Sequence, residues 1–100
     1  MNTALDSILA RADGALNTMH EASEGLSRLR VTLSSPDEIV TVTVDATGAL
    51  IDLQLASDLT RTSAAQLESA IVAAASDAAR EALARRASIL QRMQSSLSDT

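Results

Sequence analysis

Residues 39–55 read IVTVTVDATGALIDLQL, two runs of alternating apolar and polar side chains joined by a short turn. Successive side chains of a strand point to opposite faces, so Val40, Val42 and Val44 share one face while Thr41, Thr43 and Asp45 share the other. In the second run Ile51, Leu53 and Leu55 stand against Asp52 and Gln54 in the same way. Between them, Asp45-Ala46-Thr47-Gly48 suits a type I turn, with Asp first and Gly free to take the left-handed conformation of a bulged hairpin. A half-buried antiparallel hairpin is therefore expected, and its apolar face must be covered from elsewhere.

The flanking sequence supplies the cover. Before the hairpin, Leu29, Val31 and Leu33 alternate with Arg28, Arg30 and Thr32, and Ser34-Ser35-Pro36-Asp37 is turn chemistry. Three strands, at about 29–33, 39–45 and 49–55, then present nine branched apolar side chains to one side. Fully covered, nine such residues are worth roughly 15–25 kcal/mol. Thr3 and Asp6 have capping-box spacing, and Leu5, Ala12, Met19 and Leu26 recur every seven residues, which predicts an amphipathic helix over about 3–27. Gly14 and Gly25 weaken that helix, and Gly25 marks a candidate end.

Ser63 and Gln66 repeat the capping-box spacing before an apolar stripe of Leu67, Ile71, Ala74, Ala78 and Ala82, and no Pro or Gly follows. A second helix over about 63–97 is expected, Ala-rich where it must lie close to a sheet. The order helix, three-stranded meander, helix makes one α+β domain over residues 1–100. At ~1.5 Å per residue the second helix is about 50 Å long, against a radius of gyration of about 13 Å for a compact chain of this size. It must overhang its own body, and Leu83, Leu90 and Leu97 at heptad spacing, with Ile89 and Met93 beside them, are candidates for a helix seam that joins two copies. The outer sheet face, with Ile39, Thr41, Thr43 and Leu50, is the competing surface for a second copy.

Composition narrows the functions. There is no Phe, Tyr or Trp among the 100 residues, so no aromatic platform can stack on bases. All eight basic residues are Arg and thirteen residues are acidic, a net charge of -5 that does not favour polyanions through overall charge. Residues 31–60 carry no Arg and five acids, so any polyanion has to meet the helices. Without Cys there is no disulfide and no thiolate ligand, which fits a reducing compartment. The first residues lack a basic n-region and an apolar h-region, and the longest apolar run, 70–75, is too short to span a bilayer. A soluble cytoplasmic protein, without a membrane role, is expected.

Catalytic chemistry finds no purchase. His20 is the one His, beside Glu21 and Glu24, too few ligands for a metal. The Ser residues have no His constellation, and three isolated Gly make no phosphate loop. The Asp45-Thr47-Gly48 group is what a hairpin turn requires. No enzyme and no cofactor are expected.

The run IVTVTVDATGALIDLQL followed by LESAIVAAASDAAREAL resembles the YbaB/EbfC family of small bacterial nucleoid-associated proteins. The resemblance covers about residues 35–85 well and the first helix by pattern. It implies a helix, three strands and a helix in each chain, dimers shaped like tweezers with helical arms, DNA binding of modest sequence preference, and no catalysis. The all-Arg, Ala-rich composition suggests a high-GC actinobacterial source. There such proteins also occur in type VII secretion loci, which implies an alternative role as scaffold or chaperone for a helical secretion-system protein.

The residues set terms for both roles. Arg85 and Arg86 are adjacent, Arg92 follows on the same stripe as Arg85, and Arg80 completes the basic set of the second helix. Asp77 is within reach of Arg80 and Glu81 of Arg85, so part of the charge is paired. On a dimer, these arginines near the arm ends would meet phosphates of double-stranded DNA weakly, with strong salt dependence and little sequence preference. The acidic balance favours the partner-helix role; the resemblance favours DNA.

Overall fold

The computed structural model describes residues 3–99. Five elements follow one another: α1 (Thr3–Arg28), β1 (Val31–Ser34), β2 (Val40–Val44), β3 (Leu50–Leu55) and α2 (Ala64–Ser98). The strands form one antiparallel sheet in the order β1-β2-β3. The chain is thus α+β, a meander between two long helices.

The hairpin is built as its residues require. Asp45 Oδ1 accepts from Thr47 N (2.9 Å), Thr47 Oγ1 (2.6 Å) and Ala49 N (3.2 Å), while Gly48 N donates to the Asp45 carbonyl at 3.0 Å. Gly48 takes φ 81°, the left-handed conformation that side chains disfavour. The register slips between Thr43 and Val44, so Leu50 and Ile51 together oppose Val44.

The core is dry and made of small residues. Val31, Val40, Val42 and Val44 are at most 2% exposed, and Ala74, Ala78 and Ala82 of α2 press against them. Alanines every fourth residue leave no bulk between helix and sheet, so α2 lies close. Ser63 caps α2: its Oγ accepts from Gln66 N at 3.1 Å and the Gln66 side chain accepts from Ser63 N at 2.9 Å. At the other helix the expected cap, Thr3, is itself helical and is the first of the described residues. On the far face of the sheet, Thr32 pairs with Thr43 and Ser34 with Thr41 through hydroxyl bonds of 2.8 Å, a hydrophilic surface.

Two expectations are corrected. The strand patterns predict cover for all three strands, but α2 packs on β1 and β2 and scarcely reaches β3. Leu53 pairs with Val42 and Leu55 with Val40, so both face the same side as the core, yet they remain 40% and 44% exposed. Ile51 is similarly bare at 48%. The second correction concerns the overhang. The chain measures 76 × 19 × 15 Å with a radius of gyration of 20.6 Å, well beyond the ~13 Å of a compact chain, but the distal half of α2 is not a lone rod. It pairs antiparallel with α1: Ile89 lies against Gly25, and Met93 and Ser96 share a groove with Ala22 and Thr18. Carried on, that pairing runs out of α2 near residue 16 of α1. Residues 3–14, all exposed, project past it as the end of the arm.

Candidate nucleic-acid interface

Spacing along α2 sorts its side chains into stripes, because residues three and four apart are neighbours on a helix. Ala74, Ala78, Ala82, Ile89 and Met93 form the inward stripe, buried or half-buried against the sheet and then α1. Val72, Ala79, Leu83, Arg86, Leu90 and Leu97 form a second stripe. It lies on the β3 side, since a Cβ built on Gly48 of the β2–β3 turn would stand 3.3 Å from Ala79 Cβ. Val72 and Leu83 on it are 59% and 48% exposed. Glu81, Arg85, Ser88 and Arg92 form a third stripe on the opposite side of the inward one.

The five residues proposed from sequence as a joining seam are thereby divided. Ile89 and Met93 turn inward to α1, whereas Leu83, Leu90 and Leu97 lie on the β3 side of α2 with Arg86 among them, Leu83 exposed and Leu90 and Leu97 half-buried.

The four candidate arginines are also separated. Arg85 and Arg92 line a groove of about 280 Å³ with Gly25, Arg28, Leu29, Ser88 and Ile89. Arg86 sits on the β3-side stripe. Arg80 points away from the sheet, its Nη1 donating to Asp77 Oδ1 at 3.1 Å, and Arg85 Nε donates to Glu81 Oε1 at 3.0 Å, so both expected pairings form. Among the described residues Arg86 and Arg92 have no ion pair, and Arg92 Nε donates to the Ser88 carbonyl at 3.4 Å. These side chains are spread along α2 from where it leaves the sheet to within two turns of its end. The protruding end of α1 carries Asp6, Arg11 and Asp13. Arg28, at the last turn of α1, is not singled out by the sequence; it reaches the groove only because the two helices pair.

Among the described residues no group of His, Asp and Glu is placed to hold a metal, and no helix is long and apolar enough to cross a membrane. Asp37, Asp45 and Asp58 have carboxyls held below the usual carboxylate range, each first by a hydrogen bond from a nearby hydroxyl, of Ser35, Thr47 and Thr60 respectively. All three serve turns; the charge of Arg30 also helps to lower Asp45, and Asp37 lines a shallow groove with Arg61.

Residues 1–97 match the YbaB/EbfC DNA-binding family. The chain belongs to this family. The family is a DNA-binding one. Among solved structures, the crystal structure of the uncharacterized protein HP0035 from Helicobacter pylori is similar in fold, with a TM-score of 0.65 and 22% identity over 94% of this chain and 98% of that one. No curated protein matches the chain.

Proposed function

We propose that this YbaB/EbfC protein acts as a homodimeric, nucleoid-associated DNA binder that meets the phosphates of double-stranded DNA through arginines of α2. The carrying observation is the division of α2 into two exposed flanks of unlike chemistry. The β3-side flank, with Leu83, Leu90 and Leu97 beside Ile51, Leu53 and Leu55, joins two copies, because apolar surface of this extent is costly to leave in water. The phosphate contacts are Arg85 and Arg92 on the opposite flank, Arg80 on the outward face, and Arg86 at the edge of the join. Such contacts position a duplex without reading it, so sequence preference is slight.

Fluorescence anisotropy with a labelled duplex tests the reading. Four contacts predict roughly a hundredfold loss of affinity between ~50 and ~200 mM salt. Replacing Arg85, Arg86 and Arg92 together by Ala flattens that dependence. Absence of binding at the lower salt and micromolar protein overturns it.

A second reading has one observation in its favour. Ile8, Leu9, Leu16 and Met19 of α1 are 46–61% exposed, a stripe suited to an amphipathic helix of a secretion-system protein. Failure to bind DNA, with α1 amides shifting on addition of such a helix, would favour this scaffold role.

A further inference from the structure

The groove between the last turn of α1 and the middle of α2 gathers three arginines from two helices, Arg28, Arg85 and Arg92, around the small residues Gly25 and Ser88. We propose that this groove seats the sugar–phosphate backbone of duplex DNA, with Arg28 as a phosphate ligand supplied by α1. The proposal rests on the DNA reading above and adds to it a second helix and a built-in competitor.

The physical case begins with convergence. Arginines along one helix face present charge in a line, whereas Arg28 closes the groove from the facing helix, and guanidinium forks on both sides suit the several oxygens of a phosphodiester. The groove between them measures about 280 Å³ and is floored by Leu29 and by Ile89, which packs on Gly25. Two of the three cations are already answered on their own helices: Arg28 Nη2 lies 3.8 Å from Glu24 Oε2 and Arg85 Nε 3.0 Å from Glu81 Oε1. Both pairs are exposed on both partners, and exposed pairs hold weakly, so a polyanion displaces them easily. Glu24 and Glu81 thus compete for the same guanidiniums and keep the affinity low. Glu21, which lines the adjoining groove with Arg92, adds to that effect.

The test is duplex anisotropy across a salt series with the full chain and the variants Arg28→Gln, Arg92→Gln, Glu81→Gln and, as control, Arg61→Gln, remote in the loop before α2. Arg28→Gln and Arg92→Gln each lower the slope of log affinity against log salt by about 0.9, the share of one phosphate no longer neutralised. Glu81→Gln tightens binding and Arg61→Gln leaves the slope unchanged. Unlabelled duplex competes far better than inorganic phosphate at equal phosphate concentration and matched ionic strength, because the ligand is a polymer backbone and not a small anion; equal competition per phosphate would overturn the assignment to DNA. An unchanged slope for Arg28→Gln beside a lowered one for Arg92→Gln overturns this inference and leaves the DNA reading standing. No binding by the unaltered chain overturns both.

Discussion

The body and the arm of this molecule are stabilised in different ways, although α2 runs through both. In the body, four valines at most 2% exposed meet three alanines at most 6% exposed, and a change of one methyl group has nowhere to go. In the arm, α1 and α2 touch through Gly25, Ile89, Ala22 and Met93 and leave two open, adjoining grooves that share Arg92. Tight packing fixes where the arm points; loose packing leaves its sides available for a partner. Stability and recognition are thus assigned to successive turns of one helix.

The largest expected contrast comes from truncation. Val42→Ala removes two methyl groups from the centre of the dry core and lowers global stability by about 2–3 kcal/mol. Met93→Ala, on the half-exposed arm, costs less than about 1 kcal/mol by the same reckoning, since little of its surface was removed from water. Chemical denaturation at one fixed protein concentration compares the two; equal losses would deny the difference between the regions.

Next in size is Gly48→Ala, which forces a side chain into φ 81° with its Cβ 3.3 Å from Ala79. A loss of about 1–2 kcal/mol is expected from the strained turn, read in the same titration. Asp45→Ala acts on that turn too, with a pH signature. The Asp45 carboxyl titrates below its ordinary 3.8, held down by Thr47, so it contributes stability above that value and loses it as the pH falls through the lowered one. The variant melts below the unaltered chain at neutral pH, and the gap closes under strong acid.

The smallest effect has the opposite sign. A Cβ on Gly14 meets nothing within 4 Å, so Gly14→Ala strengthens the protruding part of α1 by roughly 0.5–1 kcal/mol of helix propensity. Hydrogen exchange at residues 5–16 should slow while the exchange of β2 stays as it was. Slowing in β2 as well would mean that arm and body open together.

These regions are not equally legible in the sequence. Element order follows from period-2 runs at 40–44 and 51–55 and from a helical stripe through Ala74, Ala78 and Ala82, local patterns that tertiary structure has no reason to override. The exposure of Leu53 and Leu55 is hidden there, because an alternating strand reads as half-buried whichever molecule covers it. Heptad spacing groups Ile89 and Met93 with Leu83, Leu90 and Leu97, yet a few tens of degrees around the helix divide α1 from the β3 side. Arg28 escapes notice for a related reason: adjacency is legible along α2, and the neighbour comes from α1.

Sedimentation equilibrium from micromolar to near-millimolar protein bears most directly on whether the body is half of a larger one. Two chains per particle are expected for the unaltered protein, and one for Leu53→Glu with its helical content kept. A 10.4 kDa particle throughout for the unaltered chain would contradict the joining of copies through β3 and α2.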